Sequence, residues 1–142
     1  MSYSLAFSQA IFTVLFVGDK VRQGFYDFVP TKELSASLNI PPPTAVKILG
    51  NLANAGIIET REGARGGVRL AKQAQDITLL DVFTAIEMGK PMFRQDYQLR
   101  VTGERPTRAR QSVYAILTDA ETAMKTQLAQ TTIAALLAAL NR

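Results

Sequence analysis

Apolar residues recur along the 142-residue chain with helical spacing, interrupted at a few sharply marked points. Residues 3–23 predict a first helix: Phe7, Ile11, Val14, Leu15 and Gly18 keep one stripe, and Phe12 and Phe16 widen it. Thr31, after Pro30, is expected to cap a short second helix with Leu34 and Leu38 facing inward and Asn39 at its end. Three prolines follow, Pro41 to Pro43. A residue before proline is pushed out of the helical region, so positions 40–42 should be extended, with Pro43 opening a third helix. That helix should run to about Ala55, with Ala45, Ile48, Leu49, Leu52 and Ala55 inward, and Gly56 supplies a left-handed stop.

Residues 57–60 are β-branched and strand-like, and residues 68–70 offer a second short strand. Between them, 61–67 (REGARGG) carries three glycines and two arginines, which predicts a hairpin with a glycine-rich tip. A further helix starts at Thr78, where Thr78 and Asp81 have capping-box spacing and Ile77 with Val82 fits a hydrophobic staple. Val82, Phe83 and Ile86 form its apolar face, and Gly89 ends it. Residues 90–106 lack clean periodicity and read as a long, irregular connection. Beyond it, Val113, Ile116, Leu117, Ala120, Met124 and Leu128 share a helical face, which Ile133, Leu136, Leu137 and Leu140 continue. The fold expected is mainly α with a small β-hairpin: a winged helix-turn-helix with a long C-terminal dimerisation helix. In domain terms, 1–88 is expected to form the winged helix-turn-helix unit, 89–106 a connecting segment and 107–142 a helical dimerisation region.

Composition narrows the chemistry. Apolar residues are 47% and charged residues 20%, ordinary for a chain with a real core, and the net charge of +4 tilts mildly toward an anionic partner. The chain has no Cys and no His. Disulfides, thiolate metal sites, cysteine nucleophiles and imidazole bases are therefore excluded, and no catalytic residue or cofactor is expected. Asp96 and Glu104 lack the paired spacing that would rescue an enzyme reading. The first charged residue is Asp19, but the preceding stretch lacks the charge of a signal peptide and carries Ser4, Ser8, Gln9 and Thr13, so a buried helix in a cytoplasmic protein is expected rather than a membrane span.

The third helix carries the functional argument. Thr44, Lys47, Asn51 and Asn54 follow i, i+3, i+7, i+10 opposite the apolar residues, a face with one cation, one hydroxyl, two amides and no carboxylate. Such side chains suit phosphates and base edges in a major groove. With Pro42 as a cap lacking a side-chain oxygen, the amides of Thr44 and Ala45 are expected to be free for a phosphate. Arg61 and Arg65, on the glycine-rich tip, can approach the DNA backbone or the minor groove. The bland alternatives are a neutral polar surface helix and a solvated loop. Val113, Ile116, Leu117, Met124 and Leu128 are candidate dimer contacts, the alternative being packing on their own domain. Met92, Phe93 and Tyr97 are candidates to line a pocket for an unknown small-molecule effector, or to plug the junction between the lobes.

At these residues the sequence resembles the Rrf2 family of bacterial winged-helix regulators. The likeness is densest in ELSASLNIPPPTAVKILGNLANAGIIE, TREGARGGVRLAK and DITLLDVFTAIE, between Glu33 and Glu87. The resemblance implies a dimeric transcription factor, usually a repressor. It places recognition-helix contacts at Pro41, Pro43, Thr44, Val46 and Lys47, and wing contacts along 61–67, Gly66 included. Two departures stand out. Many members have Arg where this chain has Glu62, and many sensing members carry three cysteines in the connection, where this chain has none. A thiolate-held iron–sulfur cluster is thereby excluded. The expectation is a clusterless, sequence-specific regulator that binds a palindromic operator on double-stranded DNA as a homodimer. A winged helix that serves as a protein-interaction module is the alternative.

Overall fold

A computed structural model describes residues 3–141 of the chain; Met1, Ser2 and Arg142, which the expected first and last units include, lie outside the described residues. In chain order it has α1 (Tyr3–Arg22), α2 (Thr31–Leu38), α3 (Pro42–Asn54), β1 (Ile58–Arg61), β2 (Gly67–Leu70), a 3-10 turn (Ala74–Asp76), α4 (Leu79–Glu87), α5 (Glu104–Ala129) and α6 (Ile133–Ala139). The strands pair antiparallel, with Ile58 opposite Leu70 and Arg61 opposite Gly67. Val29 adds a short rung: its N–H donates to Val68 O at 2.7 Å and its carbonyl accepts from Val68 N–H at 2.9 Å. This is a winged helix with a long helix toward its C-terminus, as the pattern predicts.

The core gathers where α1 crosses the other helices. Ala10, Val14 and Val17 of α1 meet Leu34, Leu52, Ile58, Val68 and Val82, all buried. The buried stripe of α1 centres on these three residues, and Phe12, expected to widen it, points outward. Phe7 and Phe83 meet edge to face at 5.2 Å. Local signals work well at α4. Thr78 Oγ1 accepts from Asp81 N–H at 3.1 Å while the Asp81 carboxylate accepts from Thr78 N–H at 2.9 Å, the capping box that the spacing predicts.

Four expectations shift. Thr31 is the first helical residue and Pro30 holds the cap position, because proline's fixed φ suits the approach to a helix. Pro42, not Pro43, opens α3, since two successive prolines can occupy the amide-independent first positions. Ala55 is exposed at the C-cap, the inward face having ended at Leu52. The largest change is at the C-terminus. The helix breaks at Gln130, Thr132 Oγ1 caps a new helix by accepting from Ala135 N–H at 3.1 Å, and α6 folds back on α1.

Ile133 and Leu137 are therefore core residues of the winged helix, not a continuation of the α5 stripe. The end of α5 is stitched down by backbone: Leu79 N–H donates to Thr131 O at 2.9 Å and Ile133 N–H to Ile77 O at 2.8 Å. Gly18 makes the close approach feasible, since a Cβ there would lie 3.2 Å from Leu70 and 3.4 Å from Leu137. The C-terminal part of 107–142 thus belongs to the N-terminal unit's core, and α5 alone forms the arm.

Candidate nucleic-acid interface

In α3 the buried residues Ala45, Ile48, Leu49 and Leu52 define one face. At about 100° per residue, the arc directly opposite holds Pro43, Lys47, Gly50 and Asn54, and all four are exposed. Thr44 and Asn51 sit half-buried on one flank, turned toward α1 and the end of α4. Val46 stands on the other flank, 63% exposed, above a groove of about 640 Å³ that separates α3 from the wing. Lys47 thus holds the crest, while Thr44 and Asn51 flank it. The exposed crest includes Gly50, which sequence reasoning passed over; the 100° rotation measured from the buried residues would have found it.

Pro41 is exposed and caps α3 without a side-chain hydrogen bond. Its carbonyl accepts from Ala45 N–H at 2.9 Å. Of the two amides expected to be free, only that of Thr44 lacks a backbone acceptor among the described residues. Proline at the first two helical positions removes the other N–H groups outright.

The wing separates its arginines into two roles. Arg61 is exposed but engaged: its guanidinium donates from Nε and Nη2 to the Arg65 carbonyl at 3.1 and 2.7 Å, and its centre lies 4.2 Å from the Phe28 ring. Arg69 approaches the same ring at 4.4 Å and pairs with Glu59 across the hairpin. Arg61 therefore braces the tip, whereas the exposed Arg65 side chain has no hydrogen bond or ion pair among the described residues. Sequence reasoning missed Phe28, which is brought to the wing from the α1–α2 loop.

Gly66 and Gly67 are demanded by the turn itself. A Cβ at Gly66 would fall 2.3 Å from Arg61 O, and one at Gly67, where φ is +149°, would fall 2.2 Å from Val29 O. Gly66 is thus required for the shape of the tip. Glu62 faces the groove beside α3, so that side of the wing carries a negative charge.

The arm exposes a face along Val113, Ile116, Ala120 and Ala123, with Ile116 67% exposed. Leu117, Met124 and Leu128 are half-buried on the flank nearer their own domain. The connection lies along α5, held by polar side chains. Arg110 donates to Tyr97 O at 3.2 Å and Gln95 O at 2.8 Å, Gln95 donates to Thr118 at 3.0 Å, and Met92 N–H donates to Glu121. Arg94 hydrogen-bonds Asp96 and holds that exposed carboxyl below its ordinary range. Met92 and Phe93 are half-buried, while Tyr97 is exposed.

No helix among the described residues is long and apolar enough to cross a membrane. With no Cys or His in the chain, and no gathering of three or more acidic residues among those described, the donors do not fit an iron–sulfur cluster.

Comparison with known proteins agrees with this geometry. A family model described as "Rrf2: Iron-dependent Transcriptional regulator" matches residues 6–139. YwgB of Bacillus subtilis, whose name describes an HTH-type transcriptional regulator, is 34% identical over 64 residues, 45% of this chain and 41% of that protein. The Synechocystis regulator slr0846 is 34% identical over 77 residues, 54% of this chain and 52% of its own length. The chain thus spans about half or less of the curated relatives it matches. A transcriptional-regulator structure from Lactobacillus plantarum superposes with a TM-score of 0.77 at 22% identity, covering 97% of this chain and 91% of that one. CymR, the global cysteine regulator of B. subtilis, gives 0.66 at 19% identity, covering 95% of each chain. These structures establish a shared fold. With the family model spanning nearly its whole length, the chain belongs to the Rrf2 family of transcriptional regulators, as a member without the iron–sulfur cysteines.

Proposed function

We propose that this protein is a sequence-specific DNA-binding regulator that represses transcription in the cytoplasm, gripping a palindromic operator as a homodimer. One observation carries the reading: a recognition helix whose outward crest bears Lys47 and Asn54 and no carboxylate stands beside a wing tip whose Arg65 side chain has no hydrogen bond or ion pair among the described residues. In this reading Lys47 and Arg65 meet phosphates, Thr44 and Asn51 approach base edges from the flank, and Arg61 holds the tip in shape. Two α3 helices about 34 Å apart would enter successive major grooves. The exposed face of α5 is the natural seam for that pairing, since Ile116 and Val113 would otherwise remain in water.

Selection of bound sites from random duplexes tests this directly. An enriched inverted repeat supports the reading, and a reporter placed behind that repeat distinguishes repression from activation. Recovery of no enriched sequence, with affinity indifferent to salt, would instead support a protein-interaction module whose contact is the groove under Val46.

A further inference from the structure

The chain has nine glycines, and eight of them have a reason within the fold. Six adopt a positive φ, and a Cβ at Gly18 or Gly66 would press on neighbouring atoms. Gly50, on the exposed crest of α3, meets neither condition. Its backbone is helical, and a Cβ built there would find nothing within 4 Å among the described residues. Alanine would fit and would favour the helix, because glycine loses more backbone freedom when a helix forms. The packing of the described residues therefore does not call for bare backbone at this position.

Val46, one turn earlier, is a second anomaly. It is a β-branched apolar side chain, 63% exposed, so it neither favours the helix nor fills the core. Four residues along a helix return to within about 40° of the starting direction, which sets the valine methyls as a wall beside the bare backbone of Gly50. Lys47 borders the same bare patch from the preceding turn and Asn54 from the following one. Val46, Gly50 and Asn54 all line the groove that separates α3 from the wing. Together they leave a notch with room for the methyl that alanine would place there, apolar on one side and flanked by a cation and an amide.

We infer that this notch is a specificity element of the DNA-binding surface, seating the C5-methyl group of a thymine that projects into the major groove. That methyl is the apolar mark that distinguishes the major-groove edge of thymine, and apolar side chains recognise it by direct contact. Val46 covers the methyl from the side, and the missing Cβ at Gly50 lets the base come close to the helix backbone. Val46 lies in the N-terminal half of α3, the part that a recognition helix brings to base edges. A cytosine at the same place lacks the methyl and would leave the notch unfilled. The inference rests on the DNA-binding reading and adds to it the base that this flank of the helix selects.

Replacing thymine by deoxyuridine removes that methyl and leaves the base pair otherwise intact. The experiment is a deoxyuridine scan of the selected operator, read by fluorescence anisotropy with the full wild-type chain and with Val46→Ala. At one thymine position the substitution should weaken wild-type binding about four-fold per half-site, as the loss of one buried methyl predicts, while Val46→Ala binds both duplexes alike. Gly50→Ala supplies an independent arm. Its melting temperature should rise by about 2–4 °C while its operator affinity falls about ten-fold or more, because the new methyl occupies the notch. A glycine with a merely structural role would move stability and binding down together. A scan in which no thymine couples to Val46, an operator without thymine in its half-site, or a Gly50→Ala chain that binds as tightly as wild type overturns this inference alone. A chain that enriches no duplex overturns the regulator reading, and this inference with it.

Discussion

Removing the Arg65 side chain isolates the wing's electrostatic contribution, because that guanidinium has no hydrogen bond or ion pair to lose among the described residues. Each phosphate contact changes the salt slope, the variation of log K with log salt, by about 0.9 for duplex DNA. The proposed homodimer would have two wings, so Arg65→Ala should reduce the slope by about 1.8. At about 0.1 M salt, the same contacts account for about 1.8 decades of affinity, on the order of 60-fold. Arg61→Ala is the internal control. Its guanidinium is occupied by the Arg65 carbonyl and the Phe28 ring, so its loss should loosen the tip and lower affinity with little change in slope. Fluorescence anisotropy of a labelled operator duplex, titrated at four or more salt concentrations, measures both quantities together. Equal slope losses for the two variants would refute the division of labour between the arginines. An unchanged slope in Arg65→Ala would remove the wing from the DNA contact.

Other consequences follow from the packing. Leu137, 4% exposed, sits in the core, whereas Leu140 is 59% exposed; Leu137→Ala should cost about 2–5 kcal/mol in denaturant unfolding and Leu140→Ala well under about 1. Equal costs would mean that α6 does not fold back. Thr78→Ala deletes the capping box and should lower stability by about 1 kcal/mol, read from the same curves. Gly67→Ala drives a methyl into the Val29 carbonyl and should unfold the wing locally, detectable as faster amide exchange at Val29 and Val68. Ile116→Glu places charge on the exposed face of α5, and sedimentation should report a shift from dimer to monomer with loss of operator binding.

What could be read in the residue order was what neighbours decide among themselves. The Thr78–Asp81 box, the left-handed Gly56 and the triple proline each act within a few residues, so their chemistry shows in the text of the chain. The buried side of α3 was legible for the same reason. Its exact outward direction was blurred, because Thr44 and Asn51 share the correct spacing yet lie off the crest. The break before α6 had a local sign, Thr132 as a cap, but the continuing apolar rhythm from Leu128 to Ile133 masked it. Long-range contacts left no sign at all. Nothing near Arg61 indicates that Phe28 will lie beneath it, and nothing near Glu87 indicates that Lys125 will face it from the arm.

The stitching of α5 has a mechanical outcome. Its far end is fastened to the strand-like residues around Ile77 and Thr78, and its middle to the connection through Arg110, Thr118 and Glu121. An arm anchored at two points cannot swing independently of the head it carries. If two such arms pair, the gap between the reading heads becomes a fixed length rather than an adjustable one. The protein would then tolerate changes of base within the spacer of its operator far better than the insertion of a single extra base pair.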